Sequence, residues 1–251
     1  MLAAERQALL LARLARDGKV VAKEIAAELG LSDDSVRRDL RELAAAGLCQ
    51  RVYGGALPVS AALAQYADRT LVQPASKDRV AARAAQLITR GSTVILDGGT
   101  TTLAVVHALP AQLVCTVITH SPTIAAALVP HEGVDVYLIG GRVFKHSAVA
   151  CGAAAVEAAQ AVSADLFLLG VTGVHATAGL TTGDVEEAAM KRALAGRAAD
   201  TYVLASAEKI GAASPYRVLP LGEVAGVVTD TAADHPALVD LRGAGVAILA
   251  A

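Results

Sequence analysis

The amino-acid sequence predicts an α/β protein with a small N-terminal helical domain and a larger, Rossmann-like domain built on a mainly parallel sheet. Three observations support this. The chain has 251 residues, 54% of them hydrophobic, which is enough for two domains. Residues 1–57 contain three short amphipathic helical patterns. After residue 76, short apolar runs alternate with helical segments, which is typical of parallel strands covered by helices on both faces.

The composition excludes several classes of protein. The apolar fraction excludes an intrinsically disordered chain, which lacks the surface needed to offset its ordering entropy. No apolar run approaches the roughly 18 residues of a membrane span, and charged residues near the N-terminus argue against a signal peptide. We therefore expect a cytoplasmic protein with no membrane contact. The net charge of -2 does not exclude nucleic acid, because local charge decides that.

Three cysteines, Cys49, Cys115 and Cys151, lack the spacing of a metal motif. We expect each to pack as a small buried side chain, and we expect no metal ion and no cofactor. Cys151, beside Gly152, is the one candidate for a reactive thiol.

The chain changes character near residue 57, which predicts a domain boundary. Residues 1–57 carry a net charge of +1 and the remainder a net charge of -3. We assign residues 1–57 to the first domain and residues 77–251 to the second. Residues 58–76 form the predicted linker, with a short helix near residues 61–68.

The first domain has the order of elements of a winged helix-turn-helix. Helices are predicted over residues 3–16, 22–29 and 32–46, each with an apolar face. Gly30 provides the turn before the third helix, and Ser32 is its N-cap. Residues 48–56 are predicted to form a β-hairpin, the wing. In such a motif the second helix of the pair, here the third helix of the chain, enters the major groove of DNA.

The third helix turns Val36 and Leu40 inward, so its arginines lie on the polar face, where they can bind guanine edges or phosphates. An isolated arginine pair is also typical of a solvated helix surface, and Asp33, Asp34 and Asp39 cancel part of its charge. The order of the elements favours DNA binding. The candidate DNA-binding residues are Ser32, Ser35, Arg37, Arg38 and Arg41 on the helix, and Arg51, Tyr53 and Gly54 in the wing.

These segments resemble a known family, the DeoR family of bacterial transcription regulators. The resemblance rests on residues 24–29, on Ser-Val-Arg-Arg-Asp-Leu at residues 35–40, and on Gly-Gly-Ala at residues 54–56. It continues to about residue 230. The sequence departs from the family at Tyr53, where His is common, and at Ser35, where Thr is common.

The second domain begins with a pattern that suits an anion. A helix over residues 78–89 and a strand over residues 93–97 lead into Gly-Gly-Thr-Thr-Thr at residues 98–102, the glycine loop, and a helix over residues 103–108. A helix N-terminus after a glycine turn offers free backbone N–H groups. A Gly-Gly pair is also typical of an ordinary turn, and neither a Walker loop nor a dinucleotide motif is present.

Polar residues follow the ends of several predicted strands. Those strands lie over residues 93–97, 115–119, 134–139, 166–169, 201–205, 224–229 and 246–249. Ligands of an open parallel sheet bind beyond the carboxyl ends of its strands, which is where Asp97, His120, Arg142 and Lys209 fall. A structural hydrogen bond is the alternative role for His120.

A helix over residues 184–199 places Glu187 and Lys191 four residues apart. The pair forms either an ordinary surface ion pair or a polar patch that faces the pocket.

The family resemblance implies a sensor domain similar in fold to ribose-5-phosphate isomerase and the coenzyme A transferases. It implies a phosphorylated sugar or polyol effector, with the glycine loop and Lys209 on its phosphate or sugar oxygens, and Asp97 and Glu187 on its hydroxyls. The sequence departs from the family at His120, commonly Asn, and at Glu208. The candidate effector-binding residues are Asp97, Gly98, Gly99, Thr100, Thr101, Thr102, His120, Ser121, Gly141, Arg142, Glu187, Lys191 and Lys209.

The function that we expect is that of a DNA-binding regulator, a repressor of a sugar or polyol catabolic operon, which its effector releases from double-stranded operator DNA. A homodimer or larger assembly would place two recognition helices on the operator. One alternative is an isomerase-like enzyme with Asp97, Glu187 and Lys209 as acid and base groups. The other is a regulator whose second domain serves only for oligomerisation.

Overall fold

The computed structural model of the protein describes residues 1–63 and 65–251. Residues 1–57, all of which are described, form a winged helix-turn-helix, as the sequence predicts. The wing strands β2 and β3 form a sheet with β1, in the order β1-β3-β2, and both pairings are antiparallel. The elements are α1 Ala3–Asp17, β1 Val20–Val21, α2 Ala22–Leu29, α3 Asp33–Ala45, β2 Gln50–Val52 and β3 Gly55–Leu57.

The core of this domain forms where the apolar faces of the helices meet. Leu10 and Leu14 of α1 pack with Leu40 and Leu43 of α3. The buried carboxylate of Asp39 accepts hydrogen bonds from the guanidinium of Arg6, one of them 2.9 Å long from Nη2. Asp39 therefore fastens α3 to α1. Its expected role, cancelling charge on the exposed helix surface, is wrong, because the side chain faces inward.

The segment predicted as a linker contains ordered elements of its own. A 3₁₀ turn spans Ala61–Leu63 and α4 spans Tyr66–Arg69, so two short elements lie where one short helix was predicted. Ala64, between them, lies outside the described residues. The helix predicted over residues 78–89 is α5, Pro74–Ala85, so it begins and ends four residues early. Proline at its first position fits the open N–H sites of a helix start, and Gln73 turns the chain there with a left-handed φ of 46°.

Residues 65–251 contain a seven-stranded sheet with strand order β15-β14-β12-β9-β4-β5-β6, parallel throughout. The elements are β4 Thr93–Leu96, α6 Thr100–His107, β5 Cys115–Thr119, α7 Pro122–Leu128, β6 Val134–Leu138, β7 Arg142–Phe144, β8 Val149–Cys151, α8 Ala153–Ala159, β9 Ala164–Gly170, β10 Gly173–His175, β11 Gly179–Thr182, α9 Val185–Ala195, β12 Ala198–Leu204, β13 Tyr216–Leu219, β14 Gly226–Thr229, α10 Pro236–Gly243 and β15 Ile248–Ala250.

The central strand β9 is buried on both faces. Leu166 and Leu168 pack in the cluster formed with α5, α6 and α7, whereas Phe167 and Leu169 pack in the cluster that holds α8 and α9. Alternation along a strand sends successive side chains to opposite faces. The helices therefore cover both faces of the sheet, as the sequence predicts.

Several short elements were not predicted. They are the β7–β8 hairpin, the antiparallel sheet of β10, β11 and β13, and helices α8 and α10. The helix predicted to reach residue 199 ends at Ala195, and residues 198 and 199 belong to β12. Strands of three or four residues are too short to carry a readable period, and their pairing depends on distant partners. Among the described residues, no helix is both long enough and apolar enough to cross a bilayer.

Candidate functional site

The first candidate site is the exposed face of α3. Ser32 caps the helix by accepting a 3.3 Å hydrogen bond from the backbone N–H of Ser35, and the two hydroxyl oxygens lie 2.9 Å apart. Arg37 and Arg38 are exposed, and Arg37 Nη2 lies 3.0 Å from Asp33 Oδ2. Arg38 has no ion-pair partner among the described residues. The ion pair with Asp33 therefore positions the side chain of Arg37, whereas the side chain of Arg38 is available to a phosphate or a base.

The wing lies beside this helix. Arg37 of α3 and Arg51 and Gly54 of the wing line one small groove. Gly54 adopts a left-handed φ of 83°, which the tight wing turn requires and which an L side chain disfavours. Tyr53 is fully exposed at the tip, and Arg41 is exposed one turn after Arg37. The structure thus places Arg37 of α3 beside Arg51 and Gly54 of the wing.

The second candidate site is a cleft at the carboxyl edge of the parallel sheet. It encloses about 470 Å³, including the part open to solvent. Its walls come from the linker, the start of α5, the glycine loop, the ends of β9 and β11, helix α9, and the turn after β12. Its polar lining consists of Arg69, Lys77, Thr100, Thr101, Thr102, Ser147, Thr172, Thr182, Glu187, Lys191, Glu208 and Lys209, with Gly98, Gly99 and Gly170.

The glycine loop needs its glycines for two different reasons. A Cβ on Gly98 would lie 2.1 Å from Val149 Cγ1, so the loop can approach β8 only without a side chain there. Gly99 has a φ of 110° and opens α6, whose first residues are Thr100, Thr101 and Thr102. The free N–H groups of this first turn and the threonine hydroxyls offer hydrogen bonds to an anion.

Asp97 lies beneath this loop and is fully buried. Its Oδ1 accepts hydrogen bonds of 2.8 Å from the N–H of Gly98 and from His120 Nε2. Its Oδ2 accepts the N–H of Gly170 at 2.8 Å and Lys191 Nζ at 2.5 Å. Burial opposes ionisation, but the charge of Lys191 and the hydrogen bonds from His120 and Lys191 outweigh it and lower the pKa of Asp97 to about 2. The carboxylate therefore stays charged and holds the loop in place.

His120 completes the same network. Its Nδ1 lies 2.8 Å from the carbonyl oxygen of Ala150, and its Nε2 faces Asp97. Ser121 is also fully buried, and its hydroxyl donates to the carbonyl oxygen of Ala148 at 3.1 Å. Asp97, His120 and Ser121 thus lie outside the cleft lining, contrary to the sequence-based expectation of direct contact with an effector. The glycine loop lies over these strand ends, so these side chains support the loop and do not face the cleft.

Glu187 and Lys191 form a buried pair, so the surface alternative is wrong. Lys191 Nζ lies 3.3 Å from Glu187 Oε1. Glu187 Oε2 accepts hydrogen bonds from the hydroxyls of Thr182 at 2.9 Å and Ser147 at 3.3 Å. Both charged side chains line the cleft. They share a fixed network with Asp97, which orients them toward any bound molecule.

Basic side chains outnumber acidic ones among the described residues that line the cleft. Lys209 Nζ donates to Thr101 Oγ1 at 3.0 Å, and burial together with Lys77 and Arg69 lowers the pKa of Lys209 to about 8 despite the opposing charge of Glu208. Burial also lowers the pKa of Lys77. Burial away from water disfavours the charged forms of these lysines. An anion bound beside them would favour the charged forms, so the cleft favours an anionic ligand.

Six polar side chains of the cleft were not predicted from the sequence to line it: Arg69, Lys77, Ser147, Thr172, Thr182 and Glu208. Arg69 Nε and Glu208 Oε2 are buried without a hydrogen-bond partner among the described residues. Arg69 lies in the predicted linker and Lys77 directly after it, a region that sequence patterning gave no reason to place at the sheet edge. The only sequence signal is that Arg69 and Lys77, two basic residues, flank Pro74 at the start of a helix.

Two predicted residues lie elsewhere. Arg142 is largely exposed on β7, where its Nη2 pairs with Glu186 at 2.9 Å, and Gly141, directly before it, is also exposed. Neither residue lines the cleft, because the chain turns away into the β7–β8 hairpin after β6. Cys151 is buried, and burial raises the pKa of its thiol to about 12, which leaves it unreactive near neutral pH. No cluster of potential metal ligands occurs within the described ranges.

Comparison with family models matches both parts of the chain. A DeoR-like helix-turn-helix domain matches residues 6–61, and the DeoR C-terminal sensor domain matches residues 72–231, more than half of the chain.

Similar proteins carry names of transcription regulators. The HTH-type transcriptional regulator GlpR of Haloferax volcanii is 31% identical over 99% of this chain and 98% of its own length. The HTH-type transcriptional repressor GlcR of Bacillus subtilis is 32% identical over 90% of this chain and 88% of its own. The glycerol-3-phosphate regulon repressor of Escherichia coli is 30% identical over 86% of each. A ribose 5-phosphate isomerase from Methanocaldococcus jannaschii shares 17% identity over 53% of this chain and 52% of its own at a TM-score of 0.40, too partial a likeness to bear on function.

Proposed function

Because the chain belongs to the DeoR family of transcription regulators, we propose that it represses a sugar or polyol catabolic operon and leaves its operator when a phosphorylated sugar or polyol occupies the cleft. Named relatives include repressors, one of them of a glycerol-3-phosphate regulon. The observation that carries the ligand class is the cleft itself, in which buried basic side chains face the glycine loop and its threonines.

The DNA-binding part of the proposal rests on α3 and the wing. The exposed arginines here are Arg37, Arg38 and Arg41 on the helix and Arg51 in the wing, and Ser35 is half-exposed. Arginine binds phosphates and guanine edges through a fork of N–H donors. One such domain makes few contacts, so we propose that the protein acts as a homodimer or larger assembly that presents two α3 helices to the operator.

The ligand part rests on the match between cleft and phosphate ester. The first turn of α6, Lys209 and Lys77 offer N–H donors and positive charge to a phosphate. The carboxylate of Glu187 and the hydroxyls of Thr172 and Thr182 offer acceptors and donors to sugar hydroxyls.

A regulatory role also suits the state of Asp97, one of the acid and base groups of the alternative isomerase-like enzyme. This carboxylate is fully buried, carries a pKa of about 2 and accepts four hydrogen bonds from fixed partners. A general base works best with a pKa near the working pH and within reach of the substrate. Asp97 supports the cleft instead of taking a proton in it.

The test combines stability and DNA binding. Glucose 6-phosphate, fructose 1-phosphate, glycerol 3-phosphate and inorganic phosphate are screened by thermal shift beside the unphosphorylated sugars and glycerol. A specific ligand raises the unfolding temperature, because it binds only the folded state. The same compound should weaken binding to promoter DNA in a gel-shift titration. A Lys209→Met variant should lose both responses, and a Lys145→Met variant, altered at an exposed lysine, should keep them. A flat response to every phosphorylated compound would overturn the proposed ligand class.

A further inference from the structure

The linker between the two domains passes over the cleft. Val59 forms a bridge with Ala213, directly after the last wing strand. Leu63 packs on Gly183, where even a Cβ would approach its Cδ2 to 2.5 Å, and the carbonyl oxygen of Leu63 accepts a 2.9 Å hydrogen bond from His146 Nε2. Backbone and close-packing contacts therefore fix this path across the sensor domain.

The linker contributes a wall to the cleft. Ala62 and Val72 line it together with Arg69, which is 8% exposed. Arg69 Nη2 donates to the carbonyl oxygen of His146 at 3.1 Å, and its guanidinium carbon lies 5.7 Å from the centre of the Tyr66 ring. The carbonyl oxygen of Arg69 accepts a hydrogen bond from Lys77 Nζ. Both the guanidinium and the backbone carbonyl group of Arg69 therefore form hydrogen bonds with the sensor domain.

The guanidinium of Arg69 is only partly satisfied. Its Nε is buried and has no partner among the described residues. Its side chain forms no ion pair within those residues, and burial lowers its pKa, although Glu187 and Asp97 act in the opposite direction from a distance. A buried donor without a partner is destabilising, because it has lost its hydrogen bonds to water. An anion in the cleft would remove this cost, because the arginine fork binds phosphate through two parallel hydrogen bonds.

We propose that Arg69 binds the anionic group of the effector directly and thereby ties the ligand to the linker that leads to the wing. This inference rests on the function proposed above and adds the residue that couples the two sites. The effector then stabilises one path of the linker over the cleft, and the helix-turn-helix that precedes the linker in the chain is held in one arrangement. Coupling requires no long chain of contacts, since residues 58–69 join the ligand to the wing directly.

The experiment compares Arg69→Gln and Arg69→Lys with Arg90→Gln. Arg90 is exposed before β4, at the amino edge of the sheet, so its variant makes the same charge change away from the cleft. Binding of glucose 6-phosphate, fructose 1-phosphate, glycerol 3-phosphate and inorganic phosphate is measured by calorimetry, and ligand-induced release from promoter DNA by gel shift. Arg69→Gln should weaken binding at least about tenfold, as loss of a charge-assisted hydrogen bond does, and should blunt release. Arg90→Gln should match the unaltered chain.

The controls separate direct contact from damage to the fold. The unfolding temperature and DNA affinity of each variant are measured without ligand. The unfolding temperature shows whether the variant is folded, and its DNA affinity should match that of the unaltered chain. Arg69→Lys keeps the charge but lacks Nε, so it should also bind more weakly. It remains informative if Arg69→Gln fails to fold.

The outcomes distinguish the two proposals. If the unaltered chain binds a phosphorylated compound and both Arg69 variants bind it equally well, the role of Arg69 is overturned and the sensor function stands. If the unaltered chain binds none of the compounds, both are overturned. If the Arg69 variants bind more weakly but release DNA normally at saturation, Arg69 binds ligand without coupling it to the linker, and the coupling is overturned.

Discussion

Lys191 Nζ lies 2.5 Å from Asp97 Oδ2 and 3.3 Å from Glu187 Oε1, so one buried ammonium joins two buried carboxylates that lie 90 residues apart in the sequence. The network joins α9 to the end of β4 and to the glycine loop. It fixes the positions of Lys191 and Glu187 in the cleft in the absence of a ligand.

Replacing Asp97 by Asn should destabilise the sensor domain by about 3 kcal/mol, because removal of one partner leaves Lys191 with an incompletely compensated buried charge. Chemical denaturation followed by circular dichroism measures the change. Asp135→Asn, at an exposed site on β6, makes the same substitution and should leave stability within about 0.5 kcal/mol of the original. Equal stabilities of the two variants would contradict the role of Asp97.

The stability that Asp97 provides should depend on pH. Its pKa is about 2 in the folded protein against an ordinary value of 3.8, so the contribution is present above pH 3.8 and is lost as the pH falls toward 2. The shift corresponds to about 2 kcal/mol. The difference in unfolding free energy between the unaltered chain and Asp97→Asn should therefore shrink across this window. A difference that stays constant down to pH 2 would show that ionisation of Asp97 is not its source.

Gly98→Ala should destabilise the protein by about 1–3 kcal/mol, since the added methyl group would overlap Val149 and push the glycine loop off β8. The loss appears in thermal or chemical unfolding, and ligand binding should weaken with it. Gly222→Ala is the matched control, because nothing lies within 4 Å of a Cβ there and its φ is not left-handed. Similar costs at both positions would show that the contact with Val149 is not limiting.

Arg37→Ala or Arg38→Ala should abolish operator binding while the protein stays folded. Both side chains are exposed on α3, so their loss removes contacts to DNA and leaves no buried cavity. Arg16→Ala serves as control, because Arg16 lies at the end of α1 in the crevice that faces the sensor domain. Gel-shift titration against promoter DNA gives the affinities, which should also fall as salt rises. Undiminished affinity of both variants would place the DNA contacts elsewhere.

Binding of a phosphorylated ligand should weaken above pH 8. Lys209 has a pKa of about 8 in the free protein, and an anion bound beside it favours the charged form. Affinity should therefore be full below this pH and should fall by up to about tenfold for each pH unit above it. Calorimetric titration across this range gives the dissociation constants. Lys209→Arg, which keeps its charge, should bind without this decline; the same decline in that variant would assign it to another group.

Much of the first domain follows from the sequence because its signals are local. Gly30, Ser32 and the inward pair Val36 and Leu40 predict the turn, the cap and the buried face of α3, and the structure agrees. Asp39 is the exception, since its partner Arg6 lies 33 residues away in another helix. A carboxylate on a helix is judged to be solvated unless that partner is known.

Local signals in the amino-acid sequence predict the parallel sheet, the order of its principal strands and helices, and the glycine loop at a helix start, because periodicity, caps and glycine turns act over a few residues. Which polar groups face the cleft follows only from the packing of the folded chain. Asp97 and His120 end up beneath the glycine loop and Arg142 on an exposed hairpin, while Arg69 and Lys77 enter from the segment predicted as linker. The end of a strand fixes the edge of the sheet at which a residue lies. The burial, charge and contacts of that residue depend on elements that are dozens of residues away in the sequence and meet it only in the folded chain.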